Sequence, residues 1–253
     1  MSIMSAPLSD SRIMLRRNFK HILRNPYSIF NGAVMPVVIM LLFVYVFGNA
    51  FSVGERYVQY ATPGLILLAI TYGLSATAVS VNSDMAKGII NRFKVMNVSR
   101  GAVLNGHVVA TMLSTSIAVA AIIGMAFALG FRSPASALDW LGAIGIVMAT
   151  AFAAAWLTIA LGMAAKTPES AGLTVVPLIL LPFVSSAIAP TAKMGQGVRQ
   201  FAQYQPFTPI IESLRGLLAG TPSWGYAAAA LAWCAGIALV GYLWSRATFS
   251  KRA

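Results

Sequence analysis

Apolar residues in this chain come in long runs. Six of them, at 29–47, 60–81, 103–129, 140–165, 170–189 and 224–244, contain no Asp, Glu, Lys or Arg. Each runs to about 20 residues, the length a helix needs to cross a hydrocarbon core of roughly 30 Å. The pattern predicts an all-α membrane protein with six transmembrane helices. Polar segments between the runs carry secondary patterns of their own. At 9–24, Arg12, Arg16, Lys20 and Arg24 recur at every fourth position, and Leu8, Leu15, Phe19 and Ile22 gather on a neighbouring arc. That is the pattern of an interfacial helix with its apolar arc in the acyl layer and its basic arc toward phosphate. Ser9 caps it, and Asn25-Pro26 ends it, because the residue before proline is pushed out of the helical region.

Two connections are unusual. The segment 83–100, SDMAKGIINRFKVMNVSR, places Ile89, Phe93 and Met96 on one helical stripe and Lys87, Arg92 and Lys94 elsewhere. A short amphipathic helix of this kind can dock into a groove on another protein. The segment 190–223 holds four prolines and four glycines among Phe201, Tyr204, Phe207, Ile210, Ile211, Leu214, Leu217 and Leu218. It is too polar to span and too apolar to float free, so short re-entrant helices tucked into one leaflet are expected. Prolines at 36 and 63 permit kinks within the first two runs. Tyr57, Tyr60, Trp140, Trp224, Tyr226, Tyr242 and Trp244 stand near run ends, where such rings anchor at the headgroup zone. Thr and Ser within the runs are expected mainly to pair helices. The chain reads as one membrane domain, 1–253, without a soluble module.

Composition strengthens the class. The 253 residues are 58% hydrophobic and 9% charged, where a soluble domain carries about 25% charged residues. The formal net charge is +12 from 18 basic and 6 acidic residues. Alternate loops share the basic residues unequally. Arg12, Arg16, Arg17, Lys20, Arg24, Lys87, Arg92, Lys94, Arg100, Lys166, Arg246, Lys251 and Arg252 fall on one side; Arg56, Arg132, Lys193, Arg199 and Arg215 fall on the other. The positive-inside rule then places both termini in the cytoplasm, which requires an even number of spans. Anionic lipid explains the basic excess, and no nucleic-acid partner is expected. The first 25 residues contain no apolar stretch of the kind a cleavable signal needs.

The sequence also narrows the chemistry. It has no GxxxxGK[ST] phosphate loop. Cys234 is the one cysteine, and neither His21 nor His107 has a carboxylate or cysteine at ligand spacing, so no metal and no catalytic residue is expected. No ionisable side chain lies at mid-span, which argues against ion-coupled transport. If the chain moves something uphill, the energy arrives from another subunit. An uncharged interior favours apolar or amphipathic cargo.

The motifs FVYVFG (43–48), KGIINRFKVMNVSRGAVLNGH (87–107), SSAIAP (185–190) and QFAQYQPFTPIIESLRGLLAG (200–220) resemble the type-2 permeases of ATP-binding-cassette exporters, specifically the daunorubicin-resistance branch. There the second motif commonly reads KGIxDRFRSLPxSRxAVLxGR. This chain departs from it at Asn91, Met96-Asn97 and His107. The resemblance implies a pore of two permease chains, identical or related, in a bacterial plasma membrane. It also implies a separate cytoplasmic ATPase that carries ATP and Mg and docks on the segment 83–100. Asp84, Lys87, Gly88, Arg92, Phe93 and Arg100 are the candidates for coupling. Arg12, Arg16, Phe19, Lys20 and Arg24 belong to the interfacial helix. Gln205, Pro206, Pro209, Glu212 and Arg215 belong to the outer segment, where Glu212 and Arg215 are expected to form a screened surface pair. The implied function is export of hydrophobic drugs, antibiotics or lipids. Export of lipid-linked glycan or polysaccharide, an ATP-independent secondary transporter and a scaffold without transport are the competing readings.

Overall fold

The computed structural model describes residues 34–48, 56–87 and 100–252. The proposed interfacial helix at 9–24 lies outside the described residues, as do Gly88, Arg92 and Phe93. Among the described residues every regular element is helical.

The first is α1, Met35–Leu42, which runs into a π-helical stretch at Phe43–Phe47. Next come α2, Tyr57–Tyr72, and α3, Leu74–Ala86, joined at Gly73. Gly73 has φ −68° and ψ −18°, close enough to helical values that α2 and α3 form one apolar rod of 30 residues. α4 covers Arg100–Ala128 and α5 covers Ala137–Ala164. α5 starts with a capping box: the Asp139 N–H donates to the Ser136 hydroxyl at 3.2 Å, and the Ser136 N–H donates to the Asp139 carboxylate at 2.9 Å. Between α4 and α5, Gly130 takes φ +90°, a conformation that favours glycine. Gln59 holds this turn against α2 by donating to the Arg132 carbonyl at 2.9 Å and accepting from the Arg132 N–H at 3.1 Å.

The fifth apolar run is not one helix. It breaks into α6, Pro168–Thr174, α7, Val176–Leu180, and a 3-10 turn at Leu181–Val184. Pro177 and Pro182 each remove a backbone donor, which stops a continuous ladder from forming. After a short turn at Thr191–Lys193 come α8, Gln196–Tyr204, and α9, Phe207–Leu218. The final helix, α10, spans Trp224–Arg252. Among the described residues four helices are long and apolar enough to cross a bilayer: Tyr57–Ala86, Leu104–Ala128, Ala137–Ala164 and Trp224–Phe249. The first and fifth runs appear as shorter apolar helices, Met35–Val46 and Pro168–Val184.

The α2–α3 rod is central, with 61% of its most apolar window buried, against 17% for α10. Ala61, Leu65, Ile66, Leu67, Leu68 and Ile70 are each no more than 2% exposed. Missing side chains set the closest contacts. A Cβ on Gly162 of α5 would stand 2.7 Å from the Ala78 carbonyl oxygen of α3, and one on Gly241 of α10 would stand 2.6 Å from the Leu157 nitrogen of α5. Apolar surface gains little by leaving lipid for another helix, so such close backbone approach is how membrane helices hold together. A second cluster, Val81, Leu104, Val108, Trp156, Ile159, Met163 and Phe249, joins α3, α4, α5 and α10 at the far end of the rod.

Two expectations change. Tyr57 and Tyr60 are not exposed anchors: they are 5% and 7% exposed and packed in the core. Trp224, Tyr226, Tyr242 and Trp244 do remain exposed, as anchors require. Many hydroxyls also turn back on their own helix. Thr62 donates to the Val58 carbonyl, Thr150 to that of Ile146 and Ser116 to that of Met112. Thr77 and Thr111 pair across α3 and α4 at 2.9 Å, the interhelical bond the sequence led one to expect.

Candidate functional site

Polar side chains collect at the two ends of the α2–α3 rod. At the α3 end, Asp84 belongs to the helix and not to the connection, because α3 continues through Ala86. Lys87 follows as the exposed cap residue. Arg100 opens α4 on the far side of the connection. The His107 Nε2 lies 3.3 Å from Asp84 Oδ2, and the two side chains are 7% and 16% exposed. Spacing along the chain had suggested that His107 has no carboxylate in reach. The antiparallel return of α4 along α3 supplies one. The signal available in the sequence was the histidine itself, standing where the resembling permeases carry arginine.

Asn82 was not singled out by the sequence, and it is 2% exposed. Its amide nitrogen donates to the Gly162 carbonyl at 3.0 Å and to the Ala165 carbonyl at 2.8 Å. It thereby satisfies carbonyls that the end of α5 leaves without an intrahelical partner. Asn82 binds α3 to α5, and Asp84 with His107 binds α3 to α4. The two helices that border the connection at 88–99 are thus fastened to each other and to the core.

The opposite end carries the other residues of interest. Gln205, 5% exposed, donates through Nε2 to the carbonyls of Leu181 at 3.2 Å and Val184 at 2.8 Å. It supplies donors where the broken fifth run ends. Pro206 precedes α9 and Pro209 is buried in its first turn. Arg215 and Glu212 form an ion pair on α9. This pair is not a screened surface contact, since the side chains are 17% and 24% exposed. The Arg215 guanidinium lies 4.0 Å from the centre of the Tyr60 ring and donates to the carbonyls of Ser186 at 2.8 Å and Tyr60 at 3.3 Å.

An apolar cavity of about 30 Å³ lies between these two ends, bordered by Ile70, Thr71 and Leu74 near Gly73, by Thr150 and Leu157 of α5, by Phe207 of α9 and by Cys234 of α10. Drug-sized sites occupy about 300–1,000 Å³. The cavity is therefore too small for a drug-sized cargo. Among the described residues no group of His, Cys, Asp and Glu is arranged to hold a metal ion.

Known proteins place this arrangement. Residues 10–219 match the family described as ABC-2 type transporter. A daunorubicin resistance ABC transporter permease protein, DrrB1 of Streptomyces coeruleorubidus, is 29% identical over 205 residues, covering 80% of this chain and 71% of the relative. A probable doxorubicin resistance ABC transporter permease protein, DrrC of Mycobacterium tuberculosis, is 27% identical over 223 residues, covering 86% and 79%. A putative transport permease of Porphyra purpurea, ycf38, is 23% identical over 227 residues, covering 87% and 77%. With a family match over most of its length and helices apolar enough to span a bilayer, the chain is a membrane permease belonging to the ABC-2 type transporter family.

Proposed function

We propose that this chain is the membrane-spanning subunit of an ATP-driven exporter of hydrophobic or amphipathic drugs, antibiotics or lipids. A separate cytoplasmic ATPase, holding ATP and Mg, does the hydrolysis. Two permease chains of six spans each form the passage in a bacterial plasma membrane, with all termini on the cytoplasmic side. In each chain the shorter helices Met35–Val46 and Pro168–Val184 provide the first and fifth spans. The segment 190–223 forms short re-entrant helices at the outer mouth.

The observation that carries the reading is the Asp84–His107 contact. It fastens together the two helices that enter and leave the segment on which the ATPase would dock. A push on Lys87, Gly88, Arg92, Phe93 or Arg100 then reaches α3 and α4 as one unit. Closure of the ATPase pair on ATP tilts these helices, and through α2 the movement reaches the outer end. The 30 Å³ cavity is too small for an amphiphile, and the cargo route runs between the two chains. The relatives named for daunorubicin and doxorubicin resistance support a drug as cargo.

The test is transport by vesicles containing the permease with its ATPase. Nucleotide-dependent accumulation of daunorubicin is expected from the complex and not from the permease alone. Uphill pumping by the permease alone would overturn the reading.

A further inference from the structure

The backbone of residues 186–188 lies directly against the first turns of α2. A Cβ on Gly64 would stand 2.5 Å from the Ala187 Cα, so no side chain separates the two strands of backbone. Hydroxyls cross the seam as well. Tyr60 donates to the Ser186 carbonyl at 3.0 Å, and Tyr57 to the Ile188 carbonyl at 3.3 Å.

Arg215 joins the seam from a third element. Its Nη2 donates to one carbonyl on each side, Tyr60 of α2 and Ser186 of the broken run, while its plane covers the Tyr60 ring. The Ser186 carbonyl lies just beyond the 3-10 turn at Leu181–Val184, and the Tyr60 carbonyl is next to that of Gln59, which Pro63 leaves without its helical donor. Tyr60 and Ser186 are buried, so their carbonyls have little water to turn to and a donor there holds its partners strongly. Glu212 neutralises the cation and leaves the guanidinium fork free to face both acceptors.

We propose that Arg215 is the latch of this seam: it holds α2 against residues 186–188 in the closed arrangement, and its release opens a lateral slit between them. As an element of an export cycle the latch rests on the exporter reading. As a property of the chain it can be tested without transport. Arg215 is a positioning residue in this account, acting through the two backbones it bridges.

Ser186 offers a reporter. It is 2% exposed and its hydroxyl oxygen has no hydrogen-bond partner among the described residues, so Ser186→Cys exchanges one small buried group for another without removing a described bond. Native Cys234, 4% exposed between α5 and α10, is the internal reference for general loosening. Membranes containing Ser186→Cys protein are treated with N-ethylmaleimide, and the two thiols are followed separately by peptide mass spectrometry. Adding Arg215→Gln is expected to raise the ratio of labelling at 186 to that at Cys234 about tenfold, the scale set by losing hydrogen bonds from a charged donor. Arg215→Lys keeps the charge but not the stacked plane, and a smaller rise of at least about threefold is expected. An unchanged ratio, or equal acceleration of both thiols, would overturn the proposal. If the glutamine variant does not reach the membrane, the lysine variant decides by the same criterion. Neither nucleotide nor cargo enters the labelling, so its outcome is independent of the transport assay.

Discussion

His107 Nε2 of α4 stands 3.3 Å from Asp84 Oδ2 in the last turn of α3, 23 positions earlier in the chain. Few side chains of this molecule are ionisable, and here two of them meet where the helices converge on the connection. Removing either partner leaves the other poorly solvated. Asp84→Asn and His107→Ala are each expected to lower stability by about 1–3 kcal/mol. The double variant is expected to cost less than the sum, with a coupling of at least about 0.5 kcal/mol. Thermal unfolding of the four purified proteins measures the cycle; strict additivity would mean that the contact contributes nothing.

Close helix contact at Gly162 leads to a second expectation. A methyl group there meets the Ala78 carbonyl at 2.7 Å and its Cα at 3.0 Å, and backbone cannot move aside as a flexible side chain does. Gly162→Ala is expected to cost about 1–3 kcal/mol despite the better helix propensity of alanine. Gly145, on the same helix with open space around its Cβ position, is the control. Gly145→Ala is expected to be neutral or stabilising by up to about 1 kcal/mol. Equal melting temperatures for the two variants would contradict the packing argument.

Asn82 gives a third. Its two bonds to the Gly162 and Ala165 carbonyls come from one buried amide. Asn82→Leu keeps comparable bulk but leaves both carbonyls without that donor, at an expected cost of about 1–3 kcal/mol. Asn82→Asp is expected to be worse, since it places a charge beside two carbonyl dipoles. Proteolytic sensitivity near residues 164–167 should rise in both variants, and an unaltered cleavage pattern would show that the end of α5 does not depend on Asn82.

The proposed docking of an ATPase is open to a direct test. Phe93→Asp is expected to abolish co-purification of the partner ATPase while the permease still inserts into the membrane, because a carboxylate cannot sit in an apolar groove. Recovery of the complex at normal yield would remove Phe93 from the docking surface.

Much of this fold could be read from hydropathy alone. The long runs that became α2–α3, α4, α5 and α10 carry their signal in every residue, and helix is the structure that satisfies its own backbone in lipid. The fifth run was misread as continuous, since Pro177 and Pro182 lower hydropathy very little while removing the donors that a helix needs. Tyr60 was assigned to the headgroup zone because chain position predicts depth but not which way a helix face turns. The Asp84–His107 and Arg215–Tyr60 contacts join residues 23 and 155 positions apart, and no local spacing encodes such a meeting. Glu212 and Arg215 were legible as a pair through their i, i+3 spacing; their shared burial was not.

The exposed flank of α10 has a practical consequence. Leu231, Leu239, Val240 and Leu243 are each about half exposed among the described residues, on a helix whose other side packs against α5 at Gly241. Where acyl chains coat that flank, the surfactant chosen for extraction becomes part of the molecule's thermodynamics. Melting temperatures of variants compare cleanly within one surfactant.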